Sequence, residues 1–306
     1  MSRFMTFVIC VLTCALLVVP VGAEDPPKKL SAEERKELET KWLELNEAGF
    51  KAYQAGKLQM AAMAWEESLG ITRRLYQTAE FPDGHAKLAA SLNNLASLYQ
   101  AQAKYAAAEP LMKDAREMYK RLFKDKDHPD LARSLNNLAV LYKLQAKYAD
   151  AEPLLKDALD MHKRLFMGDH PDLATRLNNL AFLYKSQAKY AAAEPLMKDA
   201  LEMTKRLFKD KDHPALATSL NNLAALYKSQ AKYAAAEPLL KDALEMKKRL
   251  FKDKDHPDLA RILNNLAVLY HAQGKWAEAE PLCKGALDMR KQIGRASCRE
   301  RVFKDV

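Results

Sequence analysis

SLNNLASLYQAQAKYAAAEPL, residues 91–111, decides the fold, because most of it occurs five times. The phrase Leu-Asn-Asn-Leu-Ala begins at Leu92, Leu135, Leu177, Leu220 and Leu263, at intervals of 43, 42, 43 and 43 residues. A second phrase, Ala-Glu-Pro-Leu, keeps the same step, with prolines at 110, 153, 195, 238 and 281. Self-similarity at a fixed period of this size marks a stacked array in which each unit buries its apolar stripe against its neighbours. The one short interval falls where the loop Phe166-Met167-Gly168-Asp169-His170-Pro171 has lost a residue relative to the loop from Phe123 to Pro129.

Within a unit, Leu92, Leu95, Ala96 and Tyr99 fall at i, i+3, i+4 and i+7 and share one face of a first helix. Ala103-Lys104-Tyr105 marks a turn, and a second helix follows with Pro110 expected near its start, where a missing N–H costs least. Leu111, Met112 and Ala115 are expected to face back onto the first helix, and Cys283, which takes the place of Met112, is expected in the core. A charged His-Pro loop closes each unit. The predicted fold class is therefore all-α, an α-solenoid of helical hairpins.

The spacing Leu95-Ala96-x-x-Tyr99, then Ala108-x-x-x-Met112, resembles the tetratricopeptide pattern. With the longer period and the His-Pro-Asp loop, the phrases resemble the repeats of the kinesin light chain family and its bacterial relatives. Residues 36–77 resemble an ordinary tetratricopeptide unit through Gly49, Gly56, Ala61, Trp65 and Leu69. Residues 78–292 hold the five longer units. Four of these have alanine (Ala103, Ala146, Ala188, Ala231) where Gly274 keeps the family's turn glycine, which is expected to stiffen the turn. The resemblance implies a right-handed superhelix with first helices on the concave wall, where such arrays hold extended peptides.

Around the array, Arg3 followed by an apolar run from Phe4 to Val21 and by Gly22-Ala23 reads as a secretory signal over residues 1–23. The alternative is an uncleaved membrane anchor. Residues 24–35 form a linker, with Ser31 and Glu34 placed as a capping box. The expected location is outside the cytoplasm, periplasmic or secreted, without stable membrane insertion once the signal is removed. After Gln292 the repeat gives way to Ile293-Gly294-Arg295-Ala296-Ser297-Cys298, a string similar to a conceptual translation of a sequencing adapter. Residues 293–306 are expected to be a non-native tail on a truncated chain, so Cys298 carries no functional expectation; a genuine basic tail is the alternative.

Chemistry is sparse. The net charge of +9 is modest for 306 residues, and no aromatic-interleaved basic stripe points to nucleic acid. His128, His170, His213 and His256 occupy one loop position in successive units, so they form a spaced ladder that does not converge on a metal ion. No cofactor motif or catalytic constellation is present, and the Asp/Lys runs read as solvated loop charges. Differences between the units are more informative. Asn93, Asn136, Asn178, Asn221 and Asn264 begin a stripe off the Leu/Tyr face. Four residues on come Ser97, Val140, Phe182, Ala225 and Val268; seven on come Gln100, Lys143, Lys185, Lys228 and His271. Three before stand Ala90, Arg133, Thr175, Thr218 and Arg261. This describes a peptide groove with an asparagine ladder, an apolar floor marked by Phe182 and a Lys/Arg rim, suited to a protein or peptide partner with acidic side chains; the alternative is that the asparagine pairs only bond neighbouring helices and the lysines are solvated. The functional expectation is a non-enzymatic interaction scaffold. Alternatives are the recognition region of a larger protease or kinase, or a structural spacer.

Overall fold

The computed structural model describes residues 29–302 apart from 210 and 253, with side chains as far as 294. The expected signal and residues 24–28 of the expected linker lie outside the described residues, and the last four linker residues, 32–35, already belong to the first helix. Twelve helices and no strand occur among the described residues. The first hairpin pairs α1 (Ala32–Gln54) with α2 (Leu58–Leu75). The five longer ones pair α3 (Ala86–Ala101) with α4 (Tyr105–Phe123), α5 (Pro129–Leu144) with α6 (Tyr148–Leu165) and α7 (Pro171–Ser186) with α8 (Tyr190–Phe208). They continue with α9 (Pro214–Ser229) against α10 (Tyr233–Phe251), and α11 (Pro257–Ala272) against α12 (Trp276–Val302). No described helix is long and apolar enough to cross a membrane. The helix α12 passes through 293 without interruption, at 27 residues against 18 or 19 for the second helices α4 to α10.

Each layer shares its core with the next. Ala96, Ala108 and Met112 of one hairpin pack with Leu138 and Leu141 of the following first helix, all fully buried. Alanines at the crossings let helices approach closely, while each buried Leu or Met contributes about 1.5–3 kcal/mol. Cys283 departs from this rule. Its equivalents Met112, Leu155, Met197 and Leu240 are buried, but Cys283 is exposed, because no described hairpin packs over α12.

The helix ends show why the loops repeat. Ser31 and Glu34 form both bonds of the expected capping box. Each of His128, His170, His213 and His256 is an N-cap whose Nδ1 accepts the backbone N–H two residues on, at 3.1 Å. Its ring stacks on the phenylalanine at the end of the preceding helix, Phe123, Phe208 or Phe251 as its last residue and Phe166 as its C-cap, at centroid distances of 3.4–3.8 Å. An accepting Nδ1 leaves the proton on Nε2. These histidines are helix-starting devices.

Three further expectations need correction. The prolines 110, 153, 195, 238 and 281 stand at the sixth position of their helices, not in the first turn, so each removes an interior hydrogen bond. Ala103, Ala146, Ala188 and Ala231 adopt φ of 56–58°, the left-handed conformation that Gly274 takes at 75°. The chain reversal demands that geometry whatever the residue, so the alanines add strain of about 1 kcal/mol each rather than simple stiffness. The loop acids are also not merely solvated: Asp127, Asp169 and Asp212 each accept two hydrogen bonds from Arg164, Arg206 or Arg249 of the next hairpin, at 2.6–2.8 Å.

A second tie between layers uses the glutamate of Ala-Glu-Pro-Leu. Glu109 accepts from Lys113 one turn on and from Gln145 and Lys147 in the next turn region. Glu194 does the same with Lys198, Gln230 and Lys232, and Glu237 with Lys241, Tyr270 and Lys275. Hydrogen bonds from the lysine one turn on, with help from the next layer, pull these carboxyls from 4.5 down to about 2. A depressed acid contributes stability that is complete above its unfolded value and disappears as pH falls through the folded one. Melting temperature followed by circular dichroism should therefore drop between about pH 4.5 and pH 2. The triple variant E109Q/E194Q/E237Q should start lower at pH 7, by about 1 kcal/mol per site, and show a flatter acid limb. An acid limb as steep as the parent's would assign the loss to other carboxylates.

Candidate binding groove

Successive first helices α3, α5, α7, α9 and α11 touch one another directly, whereas no described second helix makes comparable contact with the next second helix. The first helices are therefore the inner wall of the curve.

Asparagines cross this wall as a ladder. The second Asn of one unit donates to the first Asn of the unit before: Asn94 to Asn46, Asn179 to Asn136, Asn222 to Asn178 and Asn265 to Asn221, at 2.7–3.4 Å. Asn93, Asn136 and Asn221 are buried, and Asn178 and Asn264 half-buried. The Oδ1 atoms of Asn136, Asn178 and Asn221 are thus committed to the array, and Asn178 Nδ2 donates to Ala174 O. The Nδ2 groups of Asn136 and Asn221 make no hydrogen bond to described residues. One rung is missing: Asn93 lacks a hydrogen-bond partner on either amide atom. It lies in a cavity of about 590 Å³ walled by Trp42, Phe50, Asn94, Tyr119 and Arg133.

Two turns beyond the first asparagines, Lys143, Lys185 and Lys228 are half-buried and form no ion pair with any described carboxylate. Burial pushes the Lys143 ammonium below its ordinary range. Lys185 is lowered too, by burial first and then by the charges of Lys228 and Lys143 on either side. The Nζ of Lys143 stands 5.6 Å from the centre of the Phe182 ring, which joins the row to the apolar floor. Most described lysines of the second helices and turns behave differently, as Lys113, Lys147, Lys156, Lys198, Lys232 and Lys241 all pair with glutamates.

The arginines of the expected rim are less free than the lysines. Arg133 pairs with Asp130 and Arg261 with Asp258, each three residues back on its own helix. Sequence comparison of the units passed over Arg176, a buried guanidinium on α7 whose Nε has no partner and which burial holds below its usual range. Its signal was available, since Ser91, Ser134 and Ser219 occupy the same position in other units. No group of three or more His, Cys, Asp or Glu able to hold a metal ion occurs among the described residues.

Tetratricopeptide repeat profiles match residues 87–164, 130–206, 216–258 and 259–293, together well over half the chain. The chain belongs to the tetratricopeptide repeat family. Among solved structures this tetratricopeptide array is similar to BtubC (BKLC) from P. vanneervenii, at 27% identity over 78% of this chain and 92% of that one, with a TM-score of 0.63. A putative kinesin light chain from Podosopora anserina with nearly identical repeats is similar at 20% identity, 71% and 98% coverage and a TM-score of 0.56. The apo form of RapI is similar at 16% identity, 84% and 85% coverage and a TM-score of 0.61. The last two likenesses bear on the fold alone. No curated protein matches in sequence. The fold is that of a right-handed superhelix, and tetratricopeptide arrays of this kind are protein–protein interaction scaffolds.

Proposed function

We propose that this chain is an exported interaction scaffold that holds an extended acidic segment of a partner protein along its inner wall. The observation that carries the reading is the row Lys143, Lys185 and Lys228. Lys143 and Lys185 are desolvated, Lys185 also lies between the charges of Lys143 and Lys228, and no described carboxylate offsets the row, an arrangement unfavourable in the free array. An acidic ligand relieves both the desolvation and the mutual repulsion. Free Asn amide donors, those of Asn136 and Asn221 among them, and the Phe182 floor supply contacts to an extended backbone and its apolar side chains.

Fluorescence anisotropy with a labelled glutamate-rich peptide tests this. Affinity should fall at least tenfold between about 50 and 500 mM salt, as screened charge pairs require, and a lysine-rich peptide of equal length should not bind. Equal binding of both peptides, or none of either, would remove the acidic partner. Export rests on residues 1–23; protein recovered from outside the cytoplasm should begin at Glu24, and a retained Met1 would contradict it.

A further inference from the structure

The three lysines occupy the same position on three consecutive first helices, and those helices touch directly. Helices in direct contact have axes about 8–10 Å apart, so the row advances by about that distance per rung. Lys185 is the middle member, since it feels the charge of both neighbours.

That spacing discriminates between backbone conformations. A polyproline II segment rises about 3.1 Å per residue with three residues per turn, so every third side chain returns to one face after about 9.3 Å. A β-strand puts side chains on one face only at about 6.8 Å or twice that; its third residue, near 10 Å, points away. An α-helix matches only at a seven-residue step of about 10.5 Å. It also has its backbone carbonyls occupied, whereas the wall offers free amide donors at Asn136 and Asn221 for carbonyls that are unpaired.

Taking the lysine row as the ligand site, and so resting on the function proposed above, we infer that the occupant is a polyproline II segment with acidic residues at i, i+3 and i+6. The carboxylates lie over Lys143, Lys185 and Lys228, one per rung. The two residues between each pair of acids pack on the floor made by Val140, Phe182 and Ala225. Gln100 and His271 hold the same position in the flanking units, so the fixed positive charge spans three rungs and the core of the recognised segment is seven residues long.

Three labelled peptides of identical composition, with the cores EPPEPPE, EPEPEPP and PPEEEPP, separate register from charge. The spaced EPPEPPE core should bind about tenfold more tightly than the other two, and K185A should remove that preference while leaving the circular dichroism spectrum unchanged. Equal affinities for all three would overturn the register while leaving the acidic groove standing. Absence of binding by all three would defeat the underlying reading as well. Tighter binding of a helical peptide with glutamates at i, i+7 and i+14 would replace the polyproline II segment by a helix.

Discussion

Reversing Lys143, Lys185 and Lys228 together to glutamate is expected to lower the affinity for an acidic peptide by about a hundredfold or more. Each reversal removes an attraction and installs a repulsion. Even at about 0.5 kcal/mol for each of these, near the value for exposed ion pairs, three sites total about 3 kcal/mol, which is more than two decades in affinity. The half-buried setting of the lysines places the true figure above that floor, because screening by water is weaker there. Stability should change little: one row of like charges replaces another, and the contact of Lys143 with the Phe182 ring, worth about 0.5–1 kcal/mol, is the main loss. The triple alanine variant should lose only the attractive half, about tenfold. Anisotropy titrations of both variants beside the parent read these numbers, with circular dichroism as the folding control. An unchanged affinity in the glutamate variant would sink the electrostatic reading.

The period made the solenoid legible. Leu-Asn-Asn-Leu-Ala and Ala-Glu-Pro-Leu placed the first and second helices of the five longer units, and Ser31 with Glu34 placed the start of the first helix of the chain. Local signals read well because they act within a few residues. What stayed hidden depends on pairs 32 to 48 residues apart, which sequence spacing does not order. Arg164 with Asp127 is such a pair, and Glu109 with Lys147 another. Both recur with the period, so their conservation between units was visible, but which charge faces which requires the stacking geometry.

The asparagine ladder shows the same limit from inside the groove. The stripe was legible, yet the direction of the hydrogen bonds was not: the second asparagine reaches back to the first of the preceding unit and occupies its carbonyl oxygen. In the proposed groove the ladder's contribution therefore falls to the remaining Nδ2 donors, while the lysine row, whose solvation and partners no spacing rule reports, gains weight. Cys283 marks another boundary. Its neighbours, not its place in the pattern, determine its burial.

Asp258→Ala is expected to destabilise the array by about 3 kcal/mol, out of proportion to one surface-facing carboxylate. The reason is Lys247, whose side chain is only 2% exposed and whose Nζ meets Asp258 at 2.6 Å. Removing the acid leaves a buried ammonium without its counter-charge. Removing the lysine is milder, because Asp258 is one-third exposed and keeps Arg261. The array itself contains the repaired version: in the preceding layer the same two positions are Thr204 and Ala215, so K247T/D258A should return close to the parent's stability. Burial pushes the Asp258 carboxyl up, but the hydrogen bond and charge of Lys247, with those of Arg261, more than offset it and the net shift is downward. The pair's contribution is thus complete above the ordinary aspartate range near pH 4 and vanishes as pH falls below it. Urea denaturation of the two single variants and the double variant at pH 7 gives the coupling directly. A D258A cost below about 1 kcal/mol, or a double variant no better than D258A, would mean that water reaches the Lys247 ammonium and that the pair is an ordinary surface contact.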